Sequence, residues 1–213
     1  MGIGKIFERI ADEVFEKGKE KECKKLWSVI QQNGQPTDYV SAFYGANWTD
    51  EIYDPQYDFV VKRKANNMYF ASSITSTKKP IDITSDEIIS NTNSMFQNAA
   101  NLKEIVLLKL REDGTNSLSK NFDGCTSLVT INIEGKIGKN TSFADCPLSV
   151  KSLKNIIEHL MDYTDKKEYM YMVTFKTSAF DELEKEGATA KYNGTACTWA
   201  ELINNKKWNL VKA

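Results

Sequence analysis

The residue types that could carry out chemistry are few and scattered along this chain of 213 residues. The only histidine, His159, stands beside Leu160 on a predicted helix, and one imidazole is too few for a multi-histidine metal site. No nucleophile-elbow motif and no glycine-rich phosphate loop occurs. Asp181 and Glu182 are sequence neighbours, which do not face each other on a helix. We therefore predict no enzyme activity, no metal site and no cofactor, and interpret His159 as a helix-surface residue.

Four cysteines are present without any CxxC pair: Cys23, Cys125, Cys146 and Cys197. Cys125 and Cys146 follow a phenylalanine by three residues each, so they occupy the same position of two successive repeats. A small apolar residue suits the inner wall of such a stack. A disulfide between these two is conceivable, but two buried reduced thiols are the favoured alternative. Without a secretory signal, we expect synthesis in a reducing compartment.

The repeat that positions these cysteines is clearest over residues 121–133, and an earlier copy covers residues 95–107. Counted from Phe122 or Phe96, both copies have Leu at the sixth following position, Ile at the ninth and an aliphatic residue at the eleventh. A shortened copy begins at Phe143, and a fainter one covers residues 69–74, with Phe70 at the position of Phe96. These phenylalanines are 26, 26 and 21 residues apart, and such periods with regular Leu and Ile indicate a leucine-rich solenoid. The alternative is chance similarity among Leu- and Ile-rich segments.

Each repeat is expected to contain one short strand, at residues 105–107 in one copy and 131–133 in the next. Alternate residues of a strand face the same side, so Ile131 and Ile133 are predicted to point inward. Stacked strands then bury the Phe, Leu and Ile side chains against the neighbouring copies. The outward positions would form the binding face, whose candidate residues are Glu104, Val106, Thr130, Asn132 and Glu134.

The sequence before the repeats predicts a helix over residues 3–32, with an apolar stripe that begins at Ile3, Phe7, Ile10 and Val14. This helix either folds back on the domain or assembles with copies of itself or with another protein. Residues 39–57 contain six aromatics. They could form a sugar-stacking platform, but the favoured interpretation is that they cover the open end of the repeat core.

The sequence after the repeats predicts a C-terminal cap of three helices and two strands. The helices span residues 152–163, 178–186 and 198–204, and the strands span residues 169–175 and 208–211; Ser178 is the expected N-cap of the second helix. The predicted fold is therefore an α/β (α+β) solenoid, a short leucine-rich-repeat stack with an N-terminal helix and a helix/strand cap. Its expected segments are residues 1–34, 35–67, 68–150 and 151–213.

Charge and hydropathy narrow the range of partners. The 28 Lys and Arg residues nearly balance the 29 Asp and Glu residues, whereas a nucleic-acid-binding face normally needs a basic excess. No apolar run reaches the length of about 18 residues that spans a bilayer. We expect no nucleic acid partner and no membrane insertion.

The motif Phe-x-Gly-Cys-Thr-Ser-Leu at residues 122–128, with Ile-x-Ile after it, resembles the BspA-type leucine-rich repeats of bacterial surface proteins. A wider likeness includes Leu-Trp-Ser-Val-Ile-Gln-Gln-Asn-Gly at 26–34, Trp-Thr-Asp-Glu-Ile-Tyr at 48–53 and Ile-Asn-Asn-Lys-Lys-Trp-Asn-Leu-Val at 203–211. In this order the segments are similar to small structural proteins encoded by phages and prophages of Firmicutes, often beside tail genes. The resemblance carries no catalytic residues.

That resemblance implies a non-enzymatic component of a virion, at the tail or at another exposed position. The N-terminal helix would then bind other virion proteins or copies of itself, and the repeat face would bind a host cell-surface protein or glycan. The alternative is a bacterial leucine-rich-repeat module for adhesion or protein interaction at the cell surface.

Overall fold

The computed structural model describes residues 39–46, 53–55, 57–86 and 92–213. The predicted N-terminal helix, with Ile3, Phe7, Ile10 and Val14, and Cys23 lie outside the described residues. The described chain is mixed α/β, and its elements in order are β1 (Phe59–Val60), β2 (Ile81–Asp82), β3 (Glu104–Lys109), β4 (Thr130–Glu134), β5 (Thr141–Phe143), α1 (Val150–His159), β6 (Tyr171–Phe175), α2 (Thr177–Glu184), β7 (Ala190–Tyr192), β8 (Thr195–Cys197), α3 (Trp199–Asn205) and β9 (Trp208–Lys212).

The first four strands form one parallel sheet whose spatial order, β1-β2-β3-β4, is also their order along the chain. Ile105 pairs with Ile131 in this sheet, and both side chains are buried. Ile133 is buried as well, so the predicted inward orientation of Ile131 and Ile133 is confirmed. The sheet therefore places equivalent residues of successive segments in rows.

A column of stacked aromatic rings runs through the core beside this sheet. Neighbouring ring centroids lie 4.5 to 6.0 Å apart with interplanar angles of 6 to 23°, and every ring in the column is buried. Because each ring covers the next, the column supplies dispersion contact along the whole length of the stack. We call it the aromatic column; its members are Phe43, Tyr69, Phe96, Phe122, Phe143 and Phe175.

The first five members of the column begin the same four-residue turn. In each turn the residue three positions later donates its backbone N–H to the carbonyl oxygen of the aromatic residue, at 2.9 to 3.2 Å. The prediction that Phe70 is the equivalent of Phe96 is wrong by one residue, because the ring in the column is that of Tyr69. Phe70 points outward and stacks on Tyr44 at 4.8 Å. A further turn, at Phe43, lies before the repeats that the sequence predicted.

Helix α1 covers the edge of β4 that faces away from β3. The Ser152 hydroxyl accepts the N–H of Ile131 at 3.1 Å. The Asn155 side chain accepts the N–H of Ile133 at 2.7 Å and donates to its carbonyl at 3.3 Å. Asn155 thus bonds both backbone groups of Ile133, as a neighbouring strand would.

The C-terminal elements agree with the sequence-based expectations to within a few residues. The three predicted helices and the two predicted strands are α1, α2, α3, β6 and β9. The prediction that Ser178 is the N-cap of α2 is wrong, since α2 begins after Lys176 and has no side-chain cap. Strands β5, β6 and β9 form a second parallel sheet. The antiparallel hairpin β7–β8 was not predicted, although its turn residues Asn193-Gly194 are a typical hairpin signal.

Candidate functional site

The five residues predicted to form a binding face lie on two neighbouring strands. Glu104 and Val106 belong to β3, and the other three, Thr130, Asn132 and Glu134, belong to β4. Glu104 pairs in register with Thr130. Glu134 is exposed and the other four are half-buried. We refer to the outward side of β1–β4 as the strand face.

Strand β3 contains a bulge at the centre of this face. Between the pairs Ile105–Ile131 and Leu108–Ile133 the register shifts, so β3 has one residue more than β4 over the same length. The buried partner of Ile133 is therefore Leu108 and not Leu107, which is the equivalent of Ile133 in the sequence repeat. Val106 and Leu107 are both half-buried, and they form an apolar centre on the strand face.

Side chains from both neighbouring strand segments satisfy the backbone of the bulge. The N–H of Val106 donates to the Thr77 hydroxyl at 3.1 Å. The Asn132 amide donates to the Val106 carbonyl at 2.8 Å. Because this amide is used within the sheet, Asn132 contributes to the shape of the face more than to contacts with a partner. Glu104 is also engaged, since its carboxylate accepts the Ser76 hydroxyl at 3.0 Å.

A row of alternating charge crosses one end of the strand face. Asp82 on β2 pairs in register with Lys109 on β3, and Lys109 pairs with Glu134 on β4. Cross-strand neighbours of opposite charge stabilise a sheet modestly, by about 0.2–1 kcal/mol a pair. Alternation does not identify Lys109, because the bulge shifts it by one residue after Val106. Asp82 lies on β2, a strand that the repeat pattern does not predict. These groups provide both a donor and acceptors for a polar partner.

The buried cysteines are structural. The structure contains Cys125 and Cys146 as free thiols, which agrees with the favoured alternative of a reduced pair. The Cys125 thiol donates to the Phe96 carbonyl at 3.1 Å, and the Cys146 thiol donates to the Phe122 carbonyl at 3.5 Å. Burial raises the pKa of Cys125 to about 12 and also raises the pKa of Cys146. Thiols in this state are poor nucleophiles.

Lys206 is also a structural residue, although its pKa is lowered to about 8, chiefly by burial. Its ammonium donates to the carbonyl oxygens of Ile157, Glu158 and Leu160 at 2.9 to 3.0 Å. These carbonyls lie at the C-terminal end of α1, where a cation interacts favourably with the helix dipole. All three ammonium protons are therefore occupied. His159 on the same helix uses Nδ1 for a hydrogen bond with the Asn155 carbonyl at 2.7 Å.

Among the described residues of the 39–57 segment, three aromatics lie in the core. Tyr39, Phe43 and Tyr53 are buried. The Tyr53 hydroxyl is 2.7 Å from the Tyr69 hydroxyl and donates to the Thr77 carbonyl at 3.0 Å. Tyr44 and Tyr57 are exposed. These three side chains belong to the same core as the aromatic column.

Within the described ranges, no group of three or more His, Cys, Asp or Glu side chains could hold a metal ion. Over the same residues, no helix combines the length and the apolar character needed to cross a membrane. Comparison with protein-family models, with curated proteins and with solved structures gives no match for this chain.

Proposed function

We propose that this chain is a short BspA-type leucine-rich-repeat solenoid and a non-enzymatic structural protein of a phage virion. Its strand face would bind a protein or glycan of the host surface, at the tail or at another exposed position of the particle. The observation that carries the proposal is the parallel sheet β1–β4, whose spatial order is its chain order and whose register aligns outward residues in rows. The sequence resemblance supplies the virion context.

The strand face suits binding because its backbone is already held in place. Ile105, Ile131 and Ile133 are buried beneath it, and the bulge at Val106 has its backbone groups bonded. A preordered surface avoids the entropic cost of ordering loops on association. An apolar centre with charged groups at one end is also the arrangement of a typical protein-binding surface, which has an apolar core and a polar rim. Many copies on one particle would turn weak contacts into avidity.

Alanine substitutions at Lys109 and Glu134 test this proposal in assembled particles. Neither substitution removes a buried group, so we expect unchanged melting temperatures and weaker adsorption of the particles to host cells. The controls are Lys167→Ala and Glu168→Ala, which remove the same two charges at exposed positions outside the strand face. Normal adsorption of the Lys109→Ala and Glu134→Ala particles would contradict the assignment of the face.

The alternative function is a bacterial adhesion or protein-interaction module, and the observation that favours it is the likeness of residues 122–128 to repeats of bacterial surface proteins. The two functions differ in location. Immunodetection on purified particles supports the virion protein, whereas detection only on the bacterial surface supports the module.

A further inference from the structure

The hydrogen-bonded ladder between successive turns is interrupted after the fourth turn. In the first three turns, the residue two positions before the aromatic donates its N–H to the following turn: Ser41 to Asn66, Asn67 to Asn93 and Ser94 to Ser119. The equivalent N–H of Lys120 has no hydrogen-bond partner among the described residues. Gly124 departs from the pattern too, since its N–H donates to the Asp145 carboxylate at 2.7 Å.

A polar groove of about 300 Å³ opens where the ladder is interrupted. One wall comes from the fourth turn and the other from strands β5 and β6. Four of the eight lining side chains carry hydroxyls, and the other four are an ammonium, a carboxylate, an amide and a thioether. We call it the polar groove, and its main lining residues are Ser119, Lys120, Asp123, Thr141, Ser142 and Thr174.

The two charged side chains of this groove have no partner within the described part of the protein. Neither Lys120 nor Asp123 makes a side-chain hydrogen bond or ion pair there. The Thr141 hydroxyl also lacks a hydrogen-bond partner, but its oxygen has no accessible surface, so a molecule in the groove does not reach it. A bound polar molecule would supply partners to Lys120 and Asp123.

The shape of the groove excludes an added peptide strand. A strand inserted between two neighbours separates them by about 9.5 Å, twice the usual strand spacing. The Phe122 and Phe143 rings, however, lie 4.5 Å apart and close the stack beneath the groove. The groove, with a volume of about 300 Å³, has room for one small molecule at the surface.

The two charges of the lining give no preference for a net positive or a net negative ligand. Lys120 would repel a cation and Asp123 would repel an anion, so a molecule without net charge that carries several donors and acceptors fits best. The hydroxyls, the carboxylate and the ammonium offer both kinds of hydrogen bond. Met172, which is 42% exposed, adds an apolar surface at the same groove for C–H groups. This combination matches a pyranose ring.

We propose that the polar groove binds one neutral saccharide unit. No residue predicted for the strand face lines the groove, so this site goes beyond the proposed function and does not depend on it. The side chains of Lys120 and Asp123 hydrogen-bond the ring hydroxyls. A sugar oxygen accepts the backbone N–H of Lys120, which has no acceptor in the interrupted ladder.

Amide chemical shifts of the full chain test the proposal, with methyl β-glucoside, methyl β-galactoside and N-acetylglucosamine as millimolar probes. We expect at least one probe to shift the amides of Lys120, Thr141 and Ser142 saturably, while those of Asn132 and Glu134 stay in place. No shift with any of the three, or shifts confined to other residues, would overturn the proposal. Shifts at the groove with glycine betaine alone would overturn the saccharide assignment.

Substitutions in the groove provide the second arm. Asp123→Asn and Lys120→Gln keep the size of each side chain and remove its charge, and each is expected to weaken saccharide binding at least fivefold. Asp165→Asn is the matched control, because Asp165 is exposed and lies outside the groove. If one groove variant fails to fold, the other still decides the outcome. Unchanged affinity in a folded variant contradicts the assigned contacts.

Discussion

The Asn132 amide donates a hydrogen bond to the Val106 carbonyl oxygen at 2.8 Å. This contact crosses from β4 to the bulge of β3, where the register shift interrupts the regular ladder. Asn132 therefore fixes the shape of the strand face from within the sheet. Alternation alone assigns Asn132 to binding, but in the structure its side chain stabilises the backbone of Val106.

Replacing Asn132 by Ala should destabilise the protein, because the Val106 carbonyl would lose its partner in a half-buried position. The expected loss is about 1–2 kcal/mol in the free energy of unfolding, or roughly 2–8 °C in melting temperature for a chain of this size. Thermal unfolding monitored by circular dichroism measures it. Glu134→Ala is the control on the same strand, with an expected change within about 0.5 kcal/mol. Equal melting temperatures for the two variants would contradict the structural role of Asn132.

Replacing Gly135 by Ala should be far more damaging than the same change at Gly187. Both glycines have positive φ, +86° and +69°, so alanine is strained at either position. A methyl group at Gly135 would also collide with the Leu110 backbone carbonyl, whereas Gly187 has open space around it. We expect a cost of about 1 kcal/mol at Gly187 and a loss of about 3 kcal/mol or more at Gly135.

Urea titration of both glycine variants measures this difference. Gly187→Ala serves as the control, since it contains the backbone strain without the collision. A Gly135→Ala protein as stable as Gly187→Ala would show that the approach of Leu110 to Gly135 is not as close as the structure has it.

Raising the pH should destabilise the protein through Cys125 and Cys146. Burial raises both thiol pKa values above the ordinary value near 8.5. The folded state therefore favours the protonated thiols, and the stability that depends on them is complete below about pH 8.5 and is lost as the pH rises above it. Between pH 8.5 and 10.5, wild type should lose more stability than the Cys125→Ala/Cys146→Ala variant.

Denaturant titrations in the presence of a reductant measure this pH dependence. The variant is a fair reference because Ala99 occupies the same buried turn position in a neighbouring copy. The buried tyrosines contribute equally to both proteins. Parallel stability curves for wild type and variant would contradict the pKa shifts. Alkylation by iodoacetamide gives an independent check, since it should reach the two thiols only after unfolding.

The sequence predicts which helices and strands this fold contains better than it predicts which residue of each element faces the core. Helices α1, α2 and α3 follow from apolar spacing, because a helix face repeats over many residues. In the adjacent pair Tyr69-Phe70, either ring could start the turn, and only the stacking on Phe96 decides for Tyr69. The same ambiguity affects Leu107 and Leu108, two adjacent aliphatic residues that flank the bulge.

The candidate site is predictable only in part for a related reason. Alternation in β4 identifies Thr130, Asn132 and Glu134 as outward, and the structure brings them beside Glu104 and Val106. The row of charges that contains Asp82 and Lys109 depends on pairing between strands that are distant in sequence. The bulge in β3 also moves Lys109 by one residue relative to simple alternation. The polar groove depends on an interruption between two turns, which no local pattern indicates.

The edge of β4 supplies the last prediction, because Asn155 on α1 bonds both backbone groups of Ile133. An uncovered strand edge pairs readily with other chains. Asn155→Ala should therefore lower the free energy of unfolding by about 1–3 kcal/mol and should also increase self-association. Lys151→Ala, at an exposed position of the same helix, should do neither.

Light scattering over a range of protein concentrations measures the self-association, and urea titration measures the stability. The two effects separate the roles of Asn155. A loss of stability without self-association would mean that the remaining helix, with Ser152 bonded to Ile131, still covers the edge. Self-association of Lys151→Ala as well would place its cause outside the β4 edge, because that variant leaves both hydrogen bonds to Ile133 intact.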